Sequence, residues 1–275
     1  MNTQPTVPML MTQFLVLYRK ELLEMRRSYK WLWVPLVFIL LGATQPISTY
    51  YMPEILQASG GLPEGTVIQI PTPSAGEMMA KTLSQFSSIG ILVFVLASMG
   101  VVAAERASGA IHMVMLKPVP VRSYLLAKWA GLMSLALTAL TTGSAAGWYY
   151  TEVLIGHVDP VAALRSIGLY VLWFGVIAAF TVLASSGLRS LGAIAFVVIG
   201  TLALLSVVTG LLAGRMQWSP TALTGHAAKW LTGAAGAGGG AIAHPVLVSI
   251  LLALALIPLL MEAAVPLFQR KLGSS

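Results

Sequence analysis

Long apolar runs dominate this chain of 275 residues and limit what it can fold into. A helix needs about 20 mostly apolar residues to cross the hydrocarbon core of a bilayer. Six runs reach that length, at about 31–50, 83–104, 124–150, 161–186, 191–213 and 245–267. The strands of a membrane barrel would instead alternate polar and apolar residues over about ten positions. The runs therefore predict an all-α integral membrane protein, with six transmembrane helices in a single transmembrane domain over residues 1–275.

The composition supports the same prediction. Hydrophobic residues make up 57% of the chain and charged residues only 9%, whereas charged residues make up about a quarter of a soluble domain. One buried core could not hide so much apolar surface. The chain has no cysteine, which excludes disulfides, iron–sulfur clusters and thiol chemistry.

The distribution of basic residues predicts an orientation. If the N-terminus is cytoplasmic, only four of the 16 basic residues fall outside, namely Lys81, Arg165, Arg215 and Lys229. Cytoplasmic joints of membrane proteins carry the excess of Lys and Arg, so both termini are predicted to be cytoplasmic. The basic residues flank spans instead of clustering on one soluble face, which argues against nucleic-acid binding.

Residues 12–30 precede the first span and have the pattern of an amphipathic helix. Apolar residues recur every three or four positions along one stripe, at Phe14, Tyr18, Leu22, Met25 and Tyr29. The remaining surface is charged and carries Arg19, Lys20, Glu21, Glu24, Arg26 and Arg27. An apolar stripe beside a cationic face predicts an interfacial elbow helix that lies among the lipid headgroups. The alternative is a cytoplasmic extension of the first span.

The inner loop at residues 105–123 is too polar to dissolve in lipid. A short helix is expected at about 108–116, where Pro118 and Pro120 would stop it. Glu105 precedes this helix, and a carboxylate is favourable at a helix N-terminus. The pattern predicts a lever that a soluble partner could push. The alternative is a plain basic loop that only orients the spans.

Catalytic patterns are weak. The histidines form no H-E-x-x-H motif, and no G-x-S-x-G elbow occurs. The glycine-rich segment 233–241 lacks the Lys followed by Ser or Thr that a nucleotide-binding loop requires. The chain is therefore predicted to be non-catalytic, with no bound metal or cofactor.

Two features inside the spans concern helix packing and pairing. The spacings Gly143-xxx-Gly147 and Gly210-xxx-Gly214 allow two backbones to approach closely. Glu262 lies near a span interior, where an acidic residue often marks an ion path. Its position near the inner interface favours pairing with a Lys or Arg over transport chemistry.

A spaced set of residues in and after the inner loop carries a family resemblance. Its members are Glu105, Gly109, Leu116, Pro118, Val119 and Lys128. This set resembles the signature of ABC-2 type exporter permeases, and RKELLEMRRS resembles the connecting or elbow helix of that family. The family often has Ser-Arg after Pro-Val. Here Pro120 and Val121 stand there, and Arg122 follows.

The resemblance implies a permease subunit of an exporter in a bacterial cell membrane. ATP and magnesium would bind to a separate ABC ATPase subunit. The residues implied in coupling to that ATPase are Glu105, Arg106, Gly109, Leu116, Pro118, Arg122 and Lys128, and the elbow helix would add a second docking surface. The resemblance also implies a second permease, with a homodimer favoured over a paralogue, and a path lined by spans one, two and five.

The substrate is predicted from what the spans lack. No span carries an isolated charge at mid-membrane, so an amphipathic substrate is expected. Within the same family, a sodium exporter is the main alternative. A secondary transporter would need polar groups at mid-bilayer and inverted repeats, and a lipid-modifying enzyme would need a cluster of His, Asp or Glu at one interface.

Overall fold

The computed structural model describes residues 7–58, 73–111, 116, 119–212, 215–233 and 244–272. Within these ranges the chain is mostly helical and contains no strand. Six segments are long and apolar enough to cross a membrane, which confirms the fold class predicted from the apolar runs. The protein is therefore an all-α, multi-pass integral membrane protein.

The helices of the described chain are named here in sequence order. They are α1 (Val7–Arg27), α2 (Lys30–Tyr50), α3 (Met52–Ala58), α4 (Ala75–Gln85), α5 (Ile91–Ser98), α6 (Ala103–Ala107), α7 (Val121–Leu154), α8 (Pro160–Gly187), α9 (Leu191–Leu211), α10 (Leu223–Leu231) and α11 (His244–Leu272). The six spans are α2, the joined segment α4–α6, α7, α8, α9 and α11. Helix α1 precedes the first span, and α10 is a short helix between the last two.

The second span begins earlier than the hydropathy pattern predicted, at Ala75 instead of 83. Ser74 caps this helix, because its hydroxyl accepts a hydrogen bond from the backbone N–H of Glu77 at 3.3 Å. The Glu77 carboxylate in turn accepts from the Ser74 N–H at 2.9 Å. This reciprocal capping box starts a helix in a polar stretch that the search for apolar runs missed.

The second span is also irregular in its middle. A π-helical turn covers Phe86–Gly90, and the helix is interrupted again between α5 and α6. The Ser185 hydroxyl from α8 lies at this second break, where it donates to the Met99 carbonyl at 3.0 Å and accepts from the Val102 and Ala103 N–H groups at 3.1 and 3.0 Å. A side chain inserted into a helix in this way is a recognised cause of bends.

Helix α8 lies at the centre of the bundle and is the most enclosed span. Its Phe174 packs against Phe38 of α2 and Phe94 of α5, with ring centroids 5.9 and 5.3 Å away. Phe38 also contacts Phe86, with centroids 5.1 Å apart. Such aromatic contacts stabilise a core by more than the burial of their apolar area alone. Here they hold the first, second and fourth spans together.

Glycine allows α2 and α7 to pack backbone against backbone. A Cβ placed on Gly143 would lie 2.7 Å from the carbonyl oxygen of Phe38, and one on Gly42 would collide with the Gly143 carbonyl. The predicted close packing at Gly143-xxx-Gly147 is therefore confirmed. At Gly210 a Cβ would meet no atom of the described chain within 4 Å, so the matching prediction has no close contact among these residues. Its partner at position 214 lies outside the described residues.

Candidate functional site

A cluster of opposite charges joins three helices at the base of the inner loop. Lys128 of α7 lies between two carboxylates, with Nζ 2.8 Å from Glu105 Oε1 and 3.0 Å from Glu21 Oε1. The Tyr124 hydroxyl donates to the other oxygen of Glu105 at 2.7 Å. Lys20 of α1 also binds Glu105 and contacts Glu21 at 3.0 Å. We call Lys20, Glu21, Glu105, Tyr124 and Lys128 the ion cluster.

Most of the ion cluster is hidden from solvent. The Lys128 side chain is fully buried, and those of Glu21 and Glu105 are 6% and 8% exposed. Burying charges is costly unless each group has opposite charges and hydrogen-bond partners, and here the ammonium and carboxylate groups supply them to one another. The cluster therefore depends on having all its charged members in place.

Packing holds α1 close enough to α7 for these contacts to form. The Tyr18 and Ser134 hydroxyls are hydrogen-bonded at 2.6 Å. A Cβ on Gly131 would lie 2.7 Å from Met25 Cε and 3.2 Å from Glu21 Cβ, so Met25 and Glu21 of α1 pack directly against α7 at this glycine. Among the described residues these contacts lie at Lys128, Gly131 and Ser134, in the first half of α7.

The carboxylates of the site resemble a cation site in spacing only. Oxygen atoms of Glu21, Glu24 and Glu105 lie within 4.8 Å of one another. However, Lys20 bridges all three carboxylates, with Glu24 at 3.1 Å, and the Lys128 ammonium occupies the buried side. Burial alone would lower the pKa of Lys20, but Glu21 and Glu105 outweigh burial and raise it above its usual value. The two ammonium groups therefore supply the positive charge that a metal ion would otherwise bring.

The expected position of Glu105 before a loop helix is wrong. Glu105 lies within α6, the last helical turn of the second span, and α6 ends at Ala107. Ser108 and Gly109 then form a turn in which Gly109 has a φ of 73°, a conformation that favours glycine. Ala110 and Ile111 are helical again, and Leu116 lies in a turn. Residues 112–115 of the predicted helix lie outside the described residues.

The other predicted coupling residues have distinct positions. Arg106 is held against the end of α8, where it donates to the Ser186 carbonyl at 2.7 Å and the Ser185 carbonyl at 3.3 Å. Leu116 is 85% exposed. Pro118 lies outside the described residues. The predicted signature is thus divided between buried residues that bind one another, Glu105 and Lys128, and an exposed loop residue, Leu116.

Arg122 and Glu262 form an ion pair with a distance of 2.8 Å. The prediction that Glu262 pairs with a basic residue is therefore confirmed, and the pair links the first turn of α7 to α11. Both side chains are more than half exposed, unlike those of Lys128 and Glu105. An exposed pair of this kind is worth about 0–1 kcal/mol, so its contribution to stability is small.

The orientation of α1 differs from the predicted one in two respects. Phe14, Tyr18, Leu22 and Met25 are buried or half-buried, but Tyr29 is not part of this stripe, because α1 ends at Arg27 and Tyr29 forms an exposed turn with a φ of 56°. Glu21 was expected on the charged outer surface and is buried instead. The remaining charged residues follow the prediction: Arg19, Glu24, Arg26 and Arg27 are exposed, and Lys20 is half-buried.

Tyr124 and Ser185 complete the site, and sequence patterns gave no signal for either. Tyr124 resembled an ordinary interfacial residue at the start of the third run, and Ser185 an ordinary polar residue at the end of the fourth. Tyr124 acts through Glu105, and Ser185 acts at the break between α5 and α6. Both contacts form only when the chain folds.

Comparison with known proteins gives one informative relative. No family model matches the chain. Over 210 residues the chain is 34% identical to the uncharacterized transmembrane protein YxlG of Bacillus subtilis (strain 168). The match covers 76% of this chain and 81% of that protein. The relative's description as a transmembrane protein agrees with the six spans.

Proposed function

We propose that this chain, which belongs to the same family as the transmembrane protein YxlG, is the membrane permease subunit of an ABC-2 type exporter, because it carries the signature residues Glu105 and Lys128. It works with a separate ABC ATPase subunit, which binds ATP and magnesium, and with a second permease copy. The residues that couple the two subunits lie on the inner loop at 105–123, together with Lys128 of α7. The chain itself performs no chemical step.

The bond between Glu105 and Lys128 carries this proposal. These two residues are the first and last positions of the family signature, and their side chains meet at 2.8 Å. The segment between them contains the exposed Leu116. A force applied to the loop therefore reaches α6 and α7 together, and through Glu21 and Lys20 it also reaches α1. Coupling of this kind requires contiguous contacts with defined arrangements, and the ion cluster supplies them.

The break between α5 and α6 supports the same mechanism. Val102 and Ala103 donate to the Ser185 hydroxyl instead of to carbonyls one helical turn back. Segments of this kind can absorb a change of backbone angle as hinges do. We propose that the loop and α6 move about this break when the ATPase closes, while α5 stays packed against Phe174.

The polar groups within the spans favour an amphipathic substrate. In the described spans, side chains such as Gln45 and Gln85, which are hydrogen-bonded to each other, supply polarity without charge. The carboxylates that could hold a sodium ion are occupied by lysines at the ion cluster. A sodium exporter remains the second candidate, because the spacing of Glu21, Glu24 and Glu105 would suit a cation if Lys20 moved away.

The coupling surface is tested by changing Leu116, whose side chain contacts little of the described chain. Leu116→Asp is expected to weaken co-purification of the ABC ATPase with a tagged chain by about tenfold or more, as loss of an interface hot spot does. Gly109→Val should act in the same direction, since a β-branched residue is strained at a φ of 73°.

Val161→Asp provides a matched control. Val161 is an exposed apolar residue in the first turn of α8, at the end away from Ser186 and the inner loop. This variant should retain the ATPase. Each variant is quantified by the amount of ATPase recovered per tagged chain from native membranes. Equal recovery with Leu116→Asp and Val161→Asp would show that the inner loop is not the docking surface.

The orientation is tested by cysteine labelling, which the absence of native cysteine makes simple. His157 lies in the joint between α7 and α8, and Ser108 follows α6; both are exposed. His157→Cys should react with an impermeant thiol reagent added to intact cells. Ser108→Cys should react only after the membrane is opened, and labelling from outside would reverse the proposed orientation.

A further inference from the structure

The face of α1 that points away from the bundle carries cations and apolar side chains together. Met11, Leu15, Val16 and Leu23 are 45–62% exposed. Arg19, Arg26 and Arg27 are also exposed and lie among them on the same side of the helix. We call these seven residues the outer face of α1. It is distinct from the stripe of Phe14, Tyr18 and Met25, which packs against the protein.

The outer face contains no carboxylate. The two acidic residues of α1 lie elsewhere, since Glu21 binds Lys128 in the ion cluster and Glu24 binds Lys20. Within the described chain, Arg19, Arg26 and Arg27 form no ion pair with an acidic residue. Three positive charges on this face are therefore left without a neutralising group among the described residues.

The position of α1 brings this face to the membrane surface. Its contacts with α7 at Lys128, Gly131 and Ser134 fall within six residues, or about 9 Å of helix. The contacting residues of α1 run from Tyr18 to Met25, so these contacts are confined to a short stretch of each helix. The first span begins three residues after α1 ends, next to the exposed Trp33. Aromatic residues of this kind mark the level of the lipid headgroups.

We propose that the outer face of α1 is a binding surface for anionic phospholipids. The arginine side chains reach the headgroup phosphates, and Met11, Leu15, Val16 and Leu23 lie against the adjoining acyl chains. A basic residue near an anionic membrane surface contributes about 1 kcal/mol, or roughly a fivefold gain in affinity. Because Lys20 of the same helix binds Glu105, lipid bound here also holds the ion cluster in place.

The test uses the purified chain in vesicles without any ATPase, so it does not depend on the transporter proposal. Val16→Cys, labelled with bimane, reports on the outer face. Vesicles contain brominated phosphatidylglycerol or brominated phosphatidylcholine at the same mole fraction, diluted in unbrominated phosphatidylcholine. We expect the brominated phosphatidylglycerol to quench bimane several-fold more strongly, because the arginines concentrate the anionic lipid.

The arginines are then removed together as Arg19→Gln, Arg26→Gln and Arg27→Gln, which should bring quenching by the two lipids to the same level. The matched control, Arg165→Gln, Arg215→Gln and Lys229→Gln, removes the same charge from other exposed positions and should retain the preference. Size-exclusion chromatography first confirms folding. If the triple variant is not folded, Arg19→Gln alone should lower the preference measurably, because it removes one of the three charges of the outer face.

Three results would overturn the proposal. Equal quenching by both lipids in the chain with all its arginines would remove the selectivity for anionic lipid. If the preference for phosphatidylglycerol survives loss of the arginines, another part of the chain must select the anionic lipid. Absence of quenching by either lipid would show that the outer face lies away from the bilayer and is open to a soluble partner.

Discussion

Lys128→Met is expected to destabilise the protein by about 3–5 kcal/mol, the usual cost of removing one partner from a buried ion pair. Methionine replaces the lysine stem but leaves Glu21 and Glu105 buried without the ammonium group between them. Lys20 cannot replace it, because the ammonium group of this half-exposed side chain already contacts both carboxylates. Thermal unfolding of the detergent-solubilised protein, followed by the loss of monodisperse material, measures the effect.

Arg122→Met is the matched control for Lys128→Met. Arg122 lies on the same helix and pairs with Glu262 at 2.8 Å, but both partners are more than half exposed. We expect a loss of at most about 1 kcal/mol. Adding Glu105→Gln to Lys128→Met should recover part of the stability, because the cost comes from an uncompensated charge. Equal effects of Lys128→Met and Arg122→Met would contradict the assignment of a buried ion cluster.

The spans were predictable because the requirement for about 20 apolar residues acts on each helix separately. The first residues of the spans were less predictable, because capping residues and not hydropathy determine where a helix begins. Ser74 and Glu77 start the second span in a segment of ordinary polarity. By contrast, Asp159 and Pro160 start the fourth span beside the apolar run, and there the prediction missed by a single residue.

The site was predictable only in part. The spacing of Glu105 and Lys128 singled out both residues, but not the bond between them. The partners Lys20 and Glu21 are 85 and 107 residues from the groups they bind, and no periodic pattern extends over such distances. One signal in the sequence could have indicated this bond. Lys128 lies inside the third apolar run, and a lysine there needs a carboxylate nearby.

The face of α1 shows a different limit of sequence reasoning. An apolar stripe identifies the side of a helix that avoids water, but not whether protein or lipid covers it. For Tyr18 and Met25 the cover is α7, through Ser134 and Gly131. The prediction of a lipid-facing stripe therefore selected the side that binds the protein. The arginines of the outer face were expected on the charged surface, but the apolar residues between them were not.

Gly143→Ala is expected to destabilise the bundle, although alanine is the better helix former. A Cβ at this position would lie 2.7 Å from the Phe38 carbonyl oxygen and 2.9 Å from Phe38 Cβ. Since backbone atoms cannot rotate away as a side chain can, α2 and α7 must separate. Overpacking of this kind costs about 1–3 kcal/mol, and Gly143→Leu should prevent recovery of folded protein altogether.

Gly168→Ala is expected to change the stability in the opposite direction from Gly143→Ala and serves as its control. Gly168 lies inside α8, and a Cβ there would meet no atom of the described chain within 4 Å. Replacing an unconstrained helical glycine by alanine gains up to about 1 kcal/mol, so the melting temperature should stay level or rise. The two substitutions add the same methyl group to a membrane helix, and the difference between them therefore isolates the contact between α2 and α7. If both variants melt at the same temperature, the close approach at Gly143 does not stabilise this bundle.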